Sequence, residues 1–325
     1  MKPIFEVAGL RKSFPLGRSP FGRPIRWVNA VQGVDFSLSK GETLGIVGES
    51  GSGKSTVGRL MLRLLEPDEG TIVFDGSDAR GLSQRQLRKY RARVRMVFQD
   101  PYASLDPHLV IGDSVGEPLT VHQGLKGAHR RARVEELLSR VGLSTNQLDR
   151  YPYEFSGGQL QRVAVARAIA TDPEVIVCDE PVAALDMSIR AQVINLLRGL
   201  QEERGIAYVF ISHDLSLVQL IADRVAVMYM GRVVETGRTR ELFAAQQHPY
   251  TRALFAAIPV PDPDQRPTRV VEKLGSTGGR DGFGGCDYED RCPFAMEVCR
   301  EQRPEIQFVG NTEVACHLYT QPGAR

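Results

Sequence analysis

The chain has 325 residues, room for roughly two domains at ~100–200 residues each. Hydrophobic residues make up 42% and charged residues 25%, so an ordinary soluble globular core is expected. The formal net charge of +2 is too close to neutral for a general nucleic-acid binder.

Ile4 to Ala8 and Val34 to Leu38 alternate as half-buried strands do. Between them, Pro15 to Pro24 is rich in Gly, Pro, Ser and Arg and reads as a loop. Thr43 to Val47 is a compact apolar strand, followed by Val57, Leu60, Met61, Leu64 and Leu65 at helical spacing. Further strands are predicted at Thr71 to Phe74, Val94 to Phe98, Val175 to Cys178 and Tyr208 to Ile211. Helical stretches separate the later ones, which predicts a parallel sheet with crossover helices. Gly112 to Arg150 reads as an inserted helical segment. Val225 to Met230 and Val233 to Thr236 read as a closing hairpin. A Pro-rich and then Gly-rich linker follows from Pro259, and then a small cysteine module.

The basic cluster Arg85, Arg88, Lys89, Arg91, Arg93 and Arg95 is read as a solvated helix face, ahead of a surface for anionic lipid or a membrane partner. No apolar stretch approaches the ~18 residues needed to cross a bilayer. The N-terminus has no signal-peptide core. The chain is therefore expected in the cytoplasm, with other chains supplying any channel.

The strongest motif is Gly48-Glu49-Ser50-Gly51-Ser52-Gly53-Lys54-Ser55-Thr56, which fits G-x-x-x-x-G-K-[ST] with a strand before and a helix after. Triphosphate binding needs closely packed backbone N–H donors. Gly51 and Gly53 clear side chains from that surface, and the helix N-terminus near Lys54 favours anions. Lys54 is assigned to the β/γ-phosphates and the Ser55 hydroxyl to Mg²⁺. The second motif is Val175-Ile176-Val177-Cys178-Asp179-Glu180, a buried strand with two carboxylates at its C-terminal end. Asp179 suits Mg²⁺, directly or through water, and Glu180 suits general-base work on a water molecule. Cys178 reads as a small buried apolar residue.

Phe155-Ser156-Gly157-Gly158-Gln159, about 20 residues before Asp179-Glu180, resembles the signature of ABC proteins. Gln99 resembles the Q-loop glutamine, Ala183-Ala184-Leu185-Asp186 the D-loop, and His213 the switch histidine. The resemblance covers roughly residues 4 to 237. It implies catalytic roles for Glu180, His213 and Gln99, and Mg²⁺ held by Ser55, Gln99 and Asp179. It implies ATP contacts from Gly48, Ser50, Gly51, Ser52, Gly53, Lys54, Ser55 and Thr56, and from Ser156, Gly157, Gly158, Gln159 and Asp186 toward a partner's nucleotide. Phe14 sits where ABC proteins stack an aromatic on adenine, with Trp27 as a competitor.

Phe98-Gln99-Asp100-Pro101-Tyr102-Ala103-Ser104-Leu105, Tyr151-Pro152-Tyr153-Glu154-Phe155 and His248-Pro249-Tyr250-Thr251-Arg252-Ala253-Leu254 resemble oligopeptide/dipeptide permease ATPases. Ala257 to Pro263 resembles the subunit usually lettered F. Two departures stand out. Leu160 replaces the common Arg, which on a helix flank should matter little, and Ala183 replaces the usual D-loop Ser.

Cys286, Cys292, Cys299 and Cys316 are spaced C-x₅-C-x₆-C-x₁₆-C, without the C-x₂-C pairs of zinc ribbons. Similar cysteines in permease ATPases are associated with a 4Fe-4S cluster, and four thiolates suit one. Zinc, with His317, is the alternative, and unligated thiols are the bland reading. The module has few large apolar residues, so ligation is expected to supply much of its folding energy.

The fold class implied is α/β, a P-loop (RecA-like) ABC nucleotide-binding domain over 1–240. It carries an antiparallel β subdomain and a helical subdomain at about 101–157. An extension with the four-cysteine module fills 241–325. The implied function is an ATPase that powers import of peptides or a related solute by ATP-driven dimerisation. The implied partners are a second ABC ATPase subunit in a heterodimer, two transmembrane permease subunits and, indirectly, an extracytoplasmic solute-binding protein, with no nucleic acid. The implied location is peripheral, on the cytoplasmic face of the inner membrane. A soluble ABC ATPase acting on ribosomes or DNA is the alternative.

Overall fold

The structure, a computed structural model, describes residues 2–18, 24–257 and 284–320. The expected linker and the Ala257 to Pro263 motif, apart from Ala257, lie outside the described residues. In chain order the strands are β1 (Phe5–Arg18), β2 (Pro24–Leu38), β3 (Thr43–Val47), β4 (Glu69–Phe74), β5 (Ser77–Asp78), β6 (Val94–Val97), β7 (Val175–Asp179), β8 (Ala207–Ile211), β9 (Arg224–Tyr229), β10 (Arg232–Arg238), β11 (Ile306–Val309) and β12 (Thr312–Ala315). The helices are α1 (Lys54–Met61), α2 (Gln84–Arg93), α3 (Pro101–Ser104), α4 (Ile111–Pro118), α5 (Gly127–Arg140), α6 (Gly157–Ile169), α7 (Met187–Arg204), α8 (Leu215–Ile221), α9 (Thr239–Ala244), α10 (Pro249–Ala256) and α11 (Glu297–Glu301). Among the described residues, no helix is long and apolar enough to cross a membrane.

The chain divides into two compact units. The first comprises Leu38–Thr43 and Val73–Ile211 with the first few residues. In it β6, β7 and β8 pair in parallel, with Val97 beside Cys178 and Asp179 beside Ile211. Every residue of β7 and β8 is buried. Strands covered on both faces carry continuous apolar runs, which is why Val175 to Cys178 does not alternate. The segment from α3 to α6 is largely helical, as the sequence predicts. Arg167 on α6 ties it together, donating to the Ser104 carbonyl at 2.7 Å and to Glu117 at 2.5 Å.

Two sequence readings change here. Leu160 is not on a helix flank but fully buried, so it is a core residue of α6. The basic cluster is only half a solvated face. Arg85, Arg88 and Lys89 are exposed, but Arg93 pairs with Asp75 at 2.7 Å, bonds Glu174, and lies 4.6 Å from the centroid of the Phe74 ring. Arg95 is half-buried, and burial together with the charge of Arg167 lowers its pKa to about 10.

The second unit comprises Glu6–Ser37, Leu44–Ile72 and the described residues from Ser212 onward. One of its sheets runs β2-β1-β4. Here β1 extends into the expected Pro15 to Pro24 loop as far as Arg18, and Pro24 is tolerated as the first residue of β2. In the other sheet β9 lies parallel to β3 and antiparallel to β10. Met230 and Gly231, both at positive φ, form the predicted hairpin turn.

The C-terminal segment completes that sheet. β12 pairs antiparallel with β10, matching Glu235 to Val314, and β11 pairs with β12. Tyr288 is buried against Tyr229, Tyr250 and His248, with ring centroids 5.3, 5.5 and 5.9 Å away. The His248-Pro249-Tyr250 motif has a local cause. The buried Glu235 carboxylate accepts the N–H groups of Gln247 and His248 at 2.8 and 2.9 Å. His248 Nδ1 in turn caps α10 through the Tyr250 N–H at 3.0 Å. Burial and the charge of Arg252 hold that imidazole neutral, with its pKa lowered to about 3.

The cysteine segment therefore gains its order from strand addition and from an aromatic cluster shared with β9 and α10. These contacts stand beside the expectation that ligation supplies much of the folding energy of this segment. Tyr288→Ala removes a fully buried aromatic ring and is expected to destabilise residues 284–320 by about 3–5 kcal/mol. Local hydrogen exchange across that segment, with and without a chelator, is the check.

Candidate nucleotide site

Each unit carries its own share of the predicted site residues. In the second unit the Gly48–Thr56 loop leaves buried β3 and enters α1. Gly53 has φ +100, and a Cβ there would lie 2.1 Å from the Ala30 carbonyl oxygen. A Cβ on Gly48 would lie 2.1 Å from the Met228 oxygen. The neighbouring backbone thus requires both glycines. Gly51, at φ +80, faces open space.

Lys54 is 5% exposed. Its ammonium donates to the carbonyls of Gly48 and Glu49 at 2.9 and 2.8 Å, which folds the loop around it. Ser52 is buried, Ser55 and Thr56 are half-buried, and Ser50 is exposed. Glu49 is held twice. Its N–H donates to Tyr250 Oη at 2.9 Å, and its carboxylate receives Arg291 at 2.9 and 3.0 Å. His213, also in this unit, is exposed in the turn after Ser212. Phe14 is half-buried on β1 with the Lys12 ammonium 5.8 Å from its ring centroid, whereas Trp27 is 51% exposed on β2.

In the first unit Asp179 ends β7 almost wholly buried. Glu180 follows at φ +46, a left-handed conformation that non-glycine residues adopt rarely and at a cost. Its N–H donates to the Ile211 carbonyl at 2.9 Å, which pins this turn to β8. Gln99 Nε2 donates to Glu180 Oε2 at 2.9 Å. Structure thus unites two of the three predicted catalytic residues. Burial and the adjacent Asp179 carboxylate push the Cys178 thiol up, so it stays neutral beside the site.

Ser156 caps α6, its Oγ accepting from Gln159 N–H at 3.4 Å while Gln159 Oε1 accepts from Ser156 N–H at 3.0 Å. Gly158 has a packing reason, since a Cβ would lie 2.5 Å from Ile189 Cγ2. Gly157 has no such restriction, its nearest neighbour being Leu185 Cδ2 at 3.7 Å. Asp186 is exposed at the start of α7. The turn before it is fixed by Arg190, which donates to the Leu185 and Ala183 carbonyls at 2.7 and 3.3 Å. Motif reading did not single out Arg190 or Arg291, and Tyr250 appeared in it only as part of a family resemblance. An arginine pairing far along the chain leaves no local pattern.

The cysteine expectation finds no support. Among the described residues no group of three or more His, Cys, Asp or Glu side chains is arranged to hold a metal ion. The four thiols are nonetheless close enough to act on one another electrostatically. Cys292, Cys299 and Cys316 are buried, and Cys286 is partly so. Burial, with smaller contributions from the neighbouring thiols, pushes Cys286 to about 12 and Cys316 to about 11, so both are protonated at neutral pH. The Cys286 N–H donates to the Cys299 carbonyl at 2.8 Å, and His317 Nε2 lies 2.9 Å from the Gln302 carbonyl.

Residues 31–183 match the family model described as "ABC transporter", and residues 234–299 match "Oligopeptide/dipeptide transporter, C-terminal region". The chain is 49% identical over 321 residues to the "Oligopeptide transport ATP-binding protein AppF" of Bacillus subtilis, covering 98% of each. It is 53% identical over 271 residues to the "Glutathione import ATP-binding protein GsiA" of Salmonella paratyphi A, covering 83% of this chain and 44% of that one. Its fold matches a dimeric, post-hydrolysis "ATP-binding cassette MJ0796 bound to ADP and Pi" with TM-score 0.66 and 30% identity, over 73% of this chain and 99% of that one. The chain belongs to the ABC transporter family of ATPases, among its oligopeptide/dipeptide-type ATP-binding proteins.

Proposed function

We propose that this ATPase powers import of peptides, or of a related solute such as glutathione, through an ABC transporter. The similarity to an oligopeptide transport ATP-binding protein over 98% of both chains supports the solute class. The observation that carries the chemistry is Glu180, held in a strained turn at the end of β7 with Gln99 2.9 Å from its carboxylate. Strain of that kind persists where the surrounding structure enforces it and clusters at active sites. It aims one carboxylate at a fixed point, as a general base requires.

In this proposal the Gly48–Thr56 loop cradles the triphosphate and Lys54 exchanges its two loop carbonyls for the β/γ-phosphates. Phe14 stacks on adenine, with Trp27 as the alternative. Glu180 and His213 position and deprotonate the attacking water. Ser55, Gln99 and Asp179 offer a hydroxyl, an amide and a carboxylate, an all-oxygen-capable set that suits Mg²⁺ when it arrives with the nucleotide. Mg²⁺ would neutralise charge on the phosphates. That both units serve one nucleotide rests on the order of the motifs in the sequence.

Ser156, Gly157, Gly158, Gln159 and Asp186 are proposed to face a partner's nucleotide. The dimeric cassette among the structural relatives supports that arrangement. The partners proposed are a second ABC ATPase subunit, two transmembrane permease subunits and, indirectly, an extracytoplasmic solute-binding protein. No role for nucleic acid is proposed, and the proposed location is the cytoplasmic face of the membrane. A division near residue 240 between nucleotide-binding domain and extension belongs to the same proposal. An iron–sulfur cluster on Cys286, Cys292, Cys299 and Cys316 rests on the family resemblance alone, since the described residues form no single-ion site.

Glu180→Gln is expected to keep ATP binding while turnover falls by ~10²–10⁴, the usual worth of a general base. A pure mutant complex that still hydrolysed ATP at near the normal rate would remove Glu180 from that role. Lys54→Ala is expected to weaken ATP binding sharply by deleting the cation beside the phosphates. Calorimetric titration reads the affinity, and a melting curve separates it from loss of the loop's own carbonyl contacts. Ser156→Arg sacrifices a helix cap at about 1 kcal/mol and should leave ATP bound in the chain's own pocket. ATP-dependent dimerisation, followed by light scattering, should disappear. Its survival would show that the signature does not act across the dimer.

A further inference from the structure

The Glu49 clamp goes beyond the phosphate-loop reading, although it rests on it. Arg291 belongs to the turn Glu289–Arg291 in the cysteine segment. Its guanidinium meets the Glu49 carboxylate through two parallel bonds, Nη1 to Oε2 at 3.0 Å and Nη2 to Oε1 at 2.9 Å. That two-pronged geometry is available to arginine and not to lysine. The Arg291 side chain is 11% exposed and that of Glu49 is 40% exposed, so the pair is only partly screened by water. The guanidinium carbon also lies 5.9 Å from the Tyr229 ring centroid and 5.7 Å from that of Tyr288. The Glu49 N–H is taken by Tyr250 Oη at 2.9 Å, and burial keeps that phenol neutral.

Both the main chain and the side chain of the loop's second residue are therefore held by the C-terminal segment. The need for this is electrostatic. Glu49 brings a negative charge into a loop that must receive a polyanion. Unpaired, that carboxylate would repel the phosphates and be free to draw the loop out of its phosphate-ready shape. Paired fork-to-fork, it is neutralised and fixed.

We propose that Arg291 is a positioning residue for the phosphate loop. By neutralising and clamping Glu49 it sets the affinity for ATP, and it makes the cysteine segment a support of the nucleotide site. Arg291 itself touches no nucleotide in this scheme. Because coupling between binding and a second structural state is reciprocal, ATP also tightens the segment around Arg291.

The test uses the full chain and a non-hydrolysable ATP analogue in calorimetry. Arg291→Ala should weaken binding by roughly tenfold, within the usual range of coupling between sites. Arg291→Lys should fall between the two, since it restores charge without the fork. The Glu49→Gln/Arg291→Ala double variant should recover to within about threefold of wild type, because no charge is left to neutralise. A purely structural role for Arg291 would not be rescued in this way. Should Arg291→Ala fail to fold, Arg291→Gln, which keeps an aliphatic stem and a donor, carries the same expectation and the same rescue. Wild-type affinity in the single variant, or a double variant as weak as the single one, overturns the clamp. Lys54→Ala separates this from failure of the phosphate-loop reading. If it too binds normally, that reading has failed. If it binds poorly while Arg291→Ala binds normally, only the clamp has failed.

Discussion

The second unit is organised around one constraint, the Gly48–Thr56 loop, against which the backbone of two other chain segments presses. The Ala30 and Met228 carbonyls come so close to Gly53 and Gly48 that any side chain there would collide with backbone. That fixes where β9 and the middle of β2 stand relative to the loop within this unit. Lys54 is buried in the same loop, its ammonium donating to the Gly48 and Glu49 carbonyls. A buried ammonium without partners would be costly, and these carbonyls supply them.

The first unit meets a different demand. Asp179 and Glu180 stand at the C-terminal end of β7, whose other residues are apolar and buried. Parallel pairing of β6, β7 and β8 buries the strands on both faces, and the carboxylates emerge only where β7 stops. The left-handed turn at Glu180 is bonded back to Ile211 and meets the Gln99 amide. Two residues that lie 81 apart in sequence thus share one hydrogen bond. A fixed carboxylate can act on a water molecule without first spending energy on its own ordering.

Much of this was legible in the sequence because it is local. A phosphate loop, a strand ending in two acids and a capped signature helix each occupy fewer than about ten consecutive residues and carry their own spacing. What was not legible is long-range. The burial of Leu160 depends on which face of α6 the rest of the unit covers. The extra length of β1 and β2 comes from pairing that overrides the Gly and Pro content of Pro15 to Pro24. The packing of the cysteine segment is long-range in the same way. Read alone it lacks a core, but β12 joins β10, and Tyr288 borrows the rings of Tyr229 and Tyr250. Cysteine spacing drew attention to the thiols, whereas Arg291, one residue before Cys292, carries the contact that reaches the phosphate loop.

The central claim is that the Gly48–Thr56 loop is the nucleotide cradle of this ATPase and that the segment around Arg291 supports it. Amide hydrogen exchange of the full chain, with and without Mg-ATP, tests both parts in one experiment. The account predicts slower exchange on adding Mg-ATP at residues 50–56 and, together with it, at residues 286–299. Unchanged exchange in the loop, with protection confined to other parts of the chain, would contradict it.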